Sequence, residues 1–431
     1  MQTDVSIGGV TSAQRVIGDL RDLAARTSTA DGAQRLAWGS VWREAREWFQ
    51  SRVAGLGLDV ATDAAGNNWV TLRGATPVSV LLGGHLDSVP NGGWLDGCLG
   101  VLTSLEALRM YAGRTPPVTL KLVDWADEEG ARFGRSLLGS SAASGSLRID
   151  EIRALRDRQG ISLIDALAEN GIAVDTILDA HPQLKSIDAR AYLELHIEQG
   201  PVLESLGKAT GVVLGTFGVE RHLLRFTGQA AHSGSTPIPM RRDAFLAAAQ
   251  AALEFREIAK RHSKPGAGVV CTVGVVNVEP KIVTAVPGIC EISLDQRALD
   301  PQVLATMLGE AREAADRAAR DNHVSVDWRL IWRIEPRPFD PTLLRLCAEA
   351  VREETGDAPT LPSGPLHDAA EMVPHMPVVM MFASSSNGLS HCKEEDTPVA
   401  HLEHTIHAFL RLVERTVDEV ARSSASKRAS V

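Results

Sequence analysis

Side chains that can bind divalent metals follow short apolar runs at several places in this 431-residue chain. One such run begins at Val78 and ends in Gly83-Gly84-His85-Leu86-Asp87, and residues two apart on an extended chain share a face. Similar runs precede Asp127-Glu128-Glu129, His196 and His391. Because open α/β sheets gather polar residues at strand ends, the pattern predicts that these side chains share one pocket.

The charge of this group of residues favours a metal site. Carboxylates and imidazoles that converge without a cation repel one another and lose solvation. Asp96, in the glycine-rich stretch Asn91–Gly97, is a candidate bridging carboxylate for two ions roughly 3.5 to 4 Å apart. Neighbouring side chains diverge, so one of Glu128 and Glu129 can bind metal while the other stays unligated as a base. We assign Glu129 as the ligand and Glu128 as the base, although spacing alone does not fix that order.

Each residue taken singly also has a structural explanation. A lone histidine is more often a satisfied structural residue than a ligand, and an acid pair is more often a solvated helix face. The presence of four compatible strand-end motifs in one chain favours the metal site. By contrast, His401, His404 and His407 lie in an ordinary amphipathic pattern near the C-terminus, which predicts structural or solvated roles.

Six stretches carry a resemblance that extends along nearly the whole chain. They are Gly84–Gly93, Asp127–Phe133, Glu194–Glu204, Ala231–Pro237, Arg241–Ala244 and Gly388–His391. Together they resemble the hydantoinase/carbamoylase branch of the M20 metallopeptidase family. The histidine at position 196, where peptidases of the wider family usually carry a carboxylate, is typical of this branch.

The resemblance implies two divalent metal ions per subunit, drawn from zinc, manganese, cobalt or nickel. The implied ligands are His85, Asp96 and His196 for one ion, and Asp96, Glu129 and His391 for the other. Glu128 is then the general base, and Asp87 is a carboxylate that orients and polarises His85. The resemblance further implies a cis peptide bond after Asp96.

Substrate contacts are likewise implied, at Gln199, His232, Asn277 and Arg297. Their chemistry fits these roles, since an amide can read a urea-like group and a guanidinium can bind a carboxylate through two hydrogen bonds. An imidazole such as that of His232 can stabilise the oxyanion of a tetrahedral intermediate.

The implied fold class is α/β. It consists of a zinc-peptidase-like catalytic domain with a mixed, mostly parallel sheet flanked by helices, and an inserted α+β lid and dimerisation domain. We place the discontinuous catalytic domain at residues 1–217 and 333–431, and the lid domain at 218–332. The resemblance also implies a homodimer formed through the lid, whose residues complete the site when the lid closes.

Apolar spacing predicts several individual elements. The expected helices span Thr11 to about Arg26, about Arg35 to Val53, Leu102 to about Tyr111, Asp243 to about Arg261, and Pro301 to about Arg320. Strands are expected around Val269–Val278 and Cys290–Arg297. The polar end, Ala421–Arg428, is expected to be disordered.

Composition excludes several classes of partner. The formal net charge of -10, without a basic stretch interleaved with aromatics, disfavours nucleic acid. No apolar run reaches transmembrane length, and the first residues lack a signal-peptide pattern, so we expect no membrane association. The five cysteines show no paired spacing, which favours a reducing cytoplasm.

The resemblance implies hydrolysis of the ureido C–N bond of an N-carbamoyl-L-amino acid or a related ureido acid. The substrate would be a small ureido or amide molecule with a carboxylate. Trp94, Pro365 and Leu366 depart from the family pattern, so allantoate or an N-acyl amino acid remains an alternative substrate. A non-catalytic metal-binding protein is disfavoured because it would have no use for Glu128.

Overall fold

The computed structural model describes residues 11–111, 113–264 and 268–429. The chain divides into two compact units. The first unit comprises the chain up to Leu214, Phe339–Thr360 and the chain from Pro365, and the second comprises Gly215–Pro338 and Leu361–Gly364. The predicted lid domain, 218–332, lies within the second unit, which also takes in a short later segment that no sequence pattern indicated.

The described residues form strands and helices with the following bounds. The strands are β1 Ser28–Thr29, β2 Gly32–Ala33, β3 Asp59–Thr62, β4 Asn68–Leu72, β5 Ser79–His85, β6 Thr119–Trp125, β7 Ala189–Ile197, β8 Thr210–Thr216, β9 Gly218–Thr227, β10 Ala231–His232, β11 Val270–Thr272, β12 Val276–Glu279, β13 Ala285–Val286, β14 Ile289–Ala298, β15 Ser325–Ile334, β16 Arg337–Pro338, β17 Thr360–Ser363 and β18 Val378–Ala383. The α-helices are α1 Ser12–Thr27, α2 Ser40–Val53, α3 Cys98–Met110, α4 Leu138–Ser144, α5 Ile149–Ile152, α6 Leu163–Glu169, α7 Ala180–Lys185, α8 Val202–Ser205, α9 Ala244–His262, α10 Pro301–Asp321, α11 Pro341–Thr355, α12 Asp368–Met372 and α13 Val399–Ala429. Short 3₁₀ helices span Val174–Asp179, Ile238–Met240 and Ser386–Gly388.

The first unit is built on a mixed sheet with a parallel centre, as predicted. Its strands are hydrogen-bonded in the order β8-β18-β7-β5-β6-β4-β3. The neighbours β18 and β7, β7 and β5, and β5 and β6 run parallel, while the outer pairs are antiparallel. Every residue of β5 and β18 is buried, as expected of strands covered on both faces. Side chains from α1, α3, α11 and α13 join these strands in one apolar core.

Three predictions about helix ends in the first unit are wrong. Helix α3 begins at Cys98, four residues before the expected Leu102. Helix α2 begins at Ser40 and not near Arg35, because Trp38 has a φ of +64° that ends any helical run. The Arg35 side chain is buried, and its Nε donates to the carbonyl of Leu86 at 2.8 Å. The C-terminal stretch expected to be disordered continues α13 as far as Ala429.

The second unit has an antiparallel sheet with two helices on one face. The strand order is β11-β14-β9-β15, and β12 also pairs with β14. Burial alternates strictly along β14, so its even-numbered residues pack in the core with α9 and α10 while its odd-numbered residues lie on the opposite face. Asp243 and Asp300 accept backbone hydrogen bonds at the N-termini of α9 and α10.

Within the part of the chain that the structure describes, no helix has the length and apolar character needed to span a membrane.

Candidate metal centre

The carboxyl ends of the parallel strands bring the predicted residues together. His85 is the last residue of β5, Glu128 and Glu129 follow β6, and His196 lies near the end of β7. His391 follows β18 after a loop. Since these four strands are adjacent and point the same way, their ends meet at one edge of the sheet.

Three buried side chains form the first triad. The Nε2 atoms of His85 and His196 lie 3.5 Å and 3.1 Å from Oδ1 of Asp96. The Nδ1 atoms of the two histidines face backbone carbonyls, that of Asp87 at 3.2 Å and that of Ile197 at 2.9 Å. Because a carbonyl only accepts, each Nδ1 carries a proton and donates it, which leaves the Nε2 lone pair of a neutral ring available to a metal.

The second triad uses the other oxygen of the same aspartate. His391 Nε2 lies 3.4 Å from Oδ2 of Asp96 and 3.4 Å from Oε2 of Glu129. In each triad the three ligand atoms lie within 4.8 Å of one another. Asp96 therefore presents one oxygen to each triad, which is the geometry of a bridging carboxylate.

Glu128 is buried beside the first triad. Its Oε2 lies 3.7 Å from Nε2 of His85, and the residue belongs to neither triad, whereas Glu129 belongs to the second. The carboxylate of Asp87 accepts hydrogen bonds from the backbone N–H groups of Glu128 at 3.2 Å and Glu129 at 3.1 Å. Asp87 thus contacts His85 through its carbonyl, while its carboxylate fixes the backbone that carries both glutamates.

The electrostatics show a surplus of buried acid. Burial, with repulsion from Asp368 and other acids, raises the pKa of Glu128 well above its usual range, and burial with repulsion from Asp96 does the same for Glu129. Burial raises the pKa of Asp87 to about 6. Burial lowers the pKa of His85 to about 4. Each of these shifts disfavours the charged form of its group because burial removes solvation, and neighbouring acids raise the carboxyl pKa values further. Burial alone would lower the pKa of His196, but attraction to Asp96 and Glu194, with its hydrogen bonds, raises it to about 9.

Histidine and carboxylate donors of this kind fit divalent ions. Oε1 of Glu129 is buried and has no hydrogen-bond partner in the described structure, so it can accept a cation without losing a bond. Imidazole nitrogens and carboxylate oxygens suit zinc, manganese, cobalt and nickel. Two such ions would compensate the buried carboxylates, and the residues present fit them.

The turn after Asp96 differs from the one that the resemblance implied. The predicted cis peptide after Asp96 is wrong, since Glu279–Pro280 is the one cis bond among the described residues. The chain turns instead at Gly97, which has a φ of +67° and lets the Cys98 N–H donate to the Asp96 carbonyl at 2.7 Å. A side chain at Gly97 would overlap the ring of His85. This γ-turn brings Asp96 beside the strand end without an isomerised peptide.

Gln199 lies at the second triad. Its Nε2 donates to Oδ2 of Asp96 at 2.8 Å and lies 3.1 Å from Nε2 of His391. Gln199, which is predicted to contact the substrate, therefore lies within hydrogen-bond distance of Asp96 and His391 in the second triad.

The other predicted contacts belong to the second unit. Asn277 pairs in register with Glu291 on β14, so it shares with Arg297 the sheet face opposite the helices. The Arg297 guanidinium donates to Asp295 through Nε at 3.0 Å and Nη2 at 3.3 Å, and to the Gly364 carbonyl through Nη1 at 3.2 Å. These bonds use three of its five N–H donors.

His232 is exposed and has a defined tautomer. Its Nδ1 accepts hydrogen bonds from the backbone N–H groups of Gly234 at 3.1 Å and Ser235 at 3.2 Å. The proton of the neutral ring must then be on Nε2, so the side chain presents a hydrogen-bond donor to solvent.

The sequence reasoning missed two buried residues near the triads. The ring centroid of His367 lies 4.5 Å from that of His196, and its Nε2 is buried without a partner among the described residues. Glu395 accepts hydrogen bonds from the loop that carries Asp96. His367 could have been found because it follows a Ser-Gly loop and precedes a helix. Glu395 could not, since the acidic run around it resembles solvated charge.

Two ligand triads that share an aspartate, at the carboxyl edge of a mostly parallel sheet, define a metal-dependent hydrolase. The comparisons with known proteins agree. The profile described as Peptidase family M20/M25/M40 matches residues 81–415, and the chain belongs to this family.

Two curated relatives are similar over most of their length. The chain is 34% identical to the N-carbamoyl-L-amino acid amidohydrolase of Geobacillus stearothermophilus, over 84% of this chain and 88% of the relative. It is 33% identical to the allantoate amidohydrolase of Escherichia coli, over 86% and 90%. Both relatives hydrolyse C–N bonds, and this chain is a hydrolase of the same kind.

Solved structures show the same likeness. A hydantoinase/carbamoylase family amidase from Burkholderia multivorans superposes with a TM-score of 0.83 at 29% sequence identity, covering 96% of this chain and 98% of that one. A family amidase from Burkholderia phymatum gives a TM-score of 0.82 at 32% identity, covering 95% and 98%.

Proposed function

We propose that this chain is a dimetal amidohydrolase that cleaves the ureido C–N bond of an N-carbamoyl-L-amino acid or a related ureido acid. The products would be the amino acid, ammonia and carbon dioxide. The observation that carries the proposal is that Asp96 faces one ligand triad with each oxygen while an unligated Glu128 lies buried beside them. The similarity to an N-carbamoyl-L-amino acid amidohydrolase supports the substrate class.

The proposed ligands of one ion are His85, Asp96 and His196, and those of the other are Asp96, Glu129 and His391. When bound, zinc, manganese, cobalt or nickel ions at these positions would polarise the ureido carbonyl and lower the pKa of an attacking water. The hydrogen bonds from the Nδ1 atoms of His85 and His196 to backbone carbonyls hold these two rings ready for that role.

Glu128 would carry the proton. It takes a proton from the attacking water and delivers it to the leaving nitrogen as the C–N bond breaks. The amino acid leaves with that proton, and the carbamic acid formed from the other half of the substrate splits into ammonia and carbon dioxide. The backbone N–H groups of Glu128 and Glu129 donate to the Asp87 carboxylate. These hydrogen bonds would keep the Glu128 carboxylate beside the metal ligands without making it a ligand.

Substrate contacts are proposed at Gln199, His232, Asn277 and Arg297. Nε2–H of His232 is the donor that would stabilise the oxyanion, because Nδ1 is occupied by two backbone amides. Asp295 holds one edge of the Arg297 guanidinium and the Gly364 carbonyl accepts from Nη1, so one N–H on each of Nη1 and Nη2 would be left to bind a substrate carboxylate.

We further propose a homodimer formed through the second unit. Leu246 and Leu253 are exposed on α9 seven residues apart, so they lie on one face of that helix. Exposed apolar side chains grouped on one element are typical of a protein–protein interface.

The five cysteines are free, which supports a reducing cytoplasm as the site of action.

Allantoate is the second candidate substrate, because the similarity to an allantoate amidohydrolase is nearly as high. An N-acyl amino acid has weaker support. Trp94, which suggested a reshaped pocket, packs on the core and donates through Nε1 to Asp396 at 3.2 Å, so its departure from the family pattern has a structural explanation.

A substrate panel tests the proposal. The metal-loaded enzyme is incubated with N-carbamoyl amino acids, allantoate, other ureido acids and N-acyl amino acids, and ammonia and free amine are assayed separately. We expect equal amounts of ammonia and amino acid from an N-carbamoyl-L-amino acid. Amine without ammonia, from N-acyl substrates only, would contradict the ureido assignment.

A further inference from the structure

The two ligands that complete the second triad depend on loops. Asp96 lies in the loop before α3, and His391 lies after β18 on a loop where its φ is +58° and its side chain is 49% exposed. His85 and His196, in contrast, are strand residues held by the sheet. The position of the second ion therefore depends on whatever fixes these two loops to each other, together with the loop after β6 that carries Glu129.

Glu395 makes that connection. Its Oε1 accepts the backbone N–H groups of Leu95 and Asp96, each at 3.1 Å. Its Oε2 accepts the hydroxyl of Ser390 at 2.9 Å, and Ser390 immediately precedes His391. Glu395 is only 2% exposed, although its neighbours Glu394 and Asp396 are exposed.

The loop before α3 is shaped to receive this carboxylate. A side chain at Gly93 would overlap the Glu395 carboxylate, so only glycine allows the approach. Trp94, which follows Gly93, donates a hydrogen bond through Nε1 to Asp396, the residue after Glu395. The contacts of Glu395 thus come from a close fit between two loops and not from a chance surface approach.

Ser390 has a single hydroxyl hydrogen and two carboxylates within reach. Its Oγ lies 3.1 Å from Oδ2 of Asp96 as well as 2.9 Å from Oε2 of Glu395. Oδ2 is the Asp96 oxygen that faces His391 in the second triad. A hydrogen bond from Ser390 to Oδ2 adds to the one that Gln199 Nε2 donates to this oxygen, and it competes with an ion for it. A bond from Ser390 to Glu395 removes that added competition.

We propose that Glu395 is a positioning residue for the second metal ion. Its Oε1 holds the backbone of the loop that carries Asp96, and its Oε2 takes the Ser390 hydrogen away from the Asp96 oxygen that binds the ion. The inference rests on the two-ion site of the proposed function.

A Glu395→Gln substitution separates the two actions. The amide oxygen still accepts both backbone N–H groups, so the amide NH₂ must face Ser390. It then donates to the serine oxygen and directs the serine hydrogen onto Oδ2 of Asp96. We expect the second ion to bind about 10- to 100-fold more weakly, since residues that support metal ligands have effects of this size.

Removing the hydroxyl should reverse that loss. Ser390→Ala alone is expected to keep the second-ion affinity within about threefold, because Glu395 retains both backbone bonds. The double variant Glu395→Gln/Ser390→Ala should regain most of the affinity, since no hydroxyl hydrogen remains to compete for Asp96. If Glu395→Gln weakened the binding of the second ion only by disturbing the structure, removing the Ser390 hydroxyl as well would not restore the affinity.

Asp63→Asn is the matched control. Asp63 is a partly buried carboxylate in which, as in Glu395, one oxygen accepts two backbone N–H groups, those of Ala65 at 2.9 Å and Asn67 at 3.0 Å. It lies in the turn between β3 and β4. We expect this variant to lose some thermal stability and to keep both ions.

The experiment is calorimetric titration of the full, chelator-stripped chain with Zn²⁺ alone. Two ions on the unsubstituted chain, one of them weakened in Glu395→Gln and restored in the double variant, is the result expected. Two ions of unchanged affinity in Glu395→Gln, or a double variant as weak as Glu395→Gln, would overturn the inference alone. Fewer than two ions on the unsubstituted chain would remove the proposed function and this inference together.

Discussion

Glu128 and Glu129 are adjacent, yet the structure gives them different surroundings. Glu129 faces His391, while Glu128 faces the first triad without joining it. One carboxylate, that of Asp87, accepts the backbone N–H of both residues. The proposed separation of ligand and base therefore depends on a single fixed turn.

Replacing Glu128 with glutamine tests the proposed base. The amide keeps the shape of the side chain but cannot accept the proton, so turnover should fall by at least about a hundredfold. Metal content, measured by elemental analysis of the purified variant, should remain that of the unsubstituted enzyme. Near-normal turnover would assign the base to another residue.

The buried acids predict how the stability of the metal-free protein depends on pH. Burial, with repulsion from Asp87, raises the pKa of Asp127 to about 8, against about 3.9 for an unfolded aspartate. Between pH 6.5 and 8 the folded chain thus holds a proton that the unfolded chain has lost, so stability falls as the pH rises. Below pH 6.5 the lowered pKa of His85, about 4, acts in the opposite sense, because the unfolded histidine binds a proton that the folded one does not.

Urea unfolding of chelator-treated protein at pH 6.5 and pH 8 measures this effect. The midpoint should be lower at pH 8, and Asp127→Asn should reduce the dependence without abolishing it, because the pKa of His196 is also raised, to about 9. A midpoint that rises over this window would contradict the raised pKa of Asp127.

At the scale of elements, the centre depends on strand ends and on one turn. Strands β5, β6 and β7 bring histidines and glutamates to one edge, but Asp96 reaches it only because the chain turns at Gly97. Gly97 has a positive φ, and its Cα lies so close to the ring of His85 that a Cβ would overlap it.

A Gly97→Ala variant should lose affinity for the first ion by at least about tenfold, since its Cβ would displace the ring of His85. Gly55→Ala is the matched control. Gly55 also has a positive φ, of +80°, but a Cβ there would meet no atom within 4 Å. The control should show only the loss of stability that a positive φ causes for alanine. Calorimetric titration of both variants compares their metal affinities. Equal metal affinity in the two variants would refute the role given to this turn.

The apolar runs made the strand-end arrangement predictable from the sequence. Continuous burial on both faces requires such runs, and polar residues directly after them mark one edge of a parallel sheet. Long helices with clear caps, such as α9 and α10, were predicted to within a residue or two.

Features that depend on contacts between distant segments were not predictable. The predicted start of α2 was wrong because Trp38 has a positive φ and the buried Arg35 hydrogen-bonds to Leu86 across the fold. The role of Glu395 depends on its hydrogen bonds to the loop that carries Asp96, which is distant in sequence. Local spacing contains no trace of either contact. The C-terminal residues were predicted to be disordered from polarity alone, yet they extend a packed helix.

At the scale of the whole molecule, the proposed ligands and the proposed lid contacts belong to different units. The ligands lie in the first unit, while His232 and Arg297 lie in the second. If His232 acts on the site of the neighbouring subunit and Arg297 on its own, a dimer of His232→Ala with Arg297→Ala contains one intact site.

Mixing these two variants is therefore informative. Each alone should be impaired on the order of a hundredfold, His232→Ala mainly in kcat and Arg297→Ala mainly in KM. Verified heterodimers should recover activity toward about half that of the unsubstituted enzyme, since one of two sites is restored. No recovery would place both contacts within one subunit.

The central claim is that two ions share Asp96. Anomalous scattering from crystals of the metal-loaded enzyme, with elemental analysis of the same preparation, tests it most directly. We expect about two ions per chain, one at each triad, and none in Asp96→Ala because the shared ligand is gone. A single ion in the unsubstituted chain, or two ions retained in Asp96→Ala, would contradict the account.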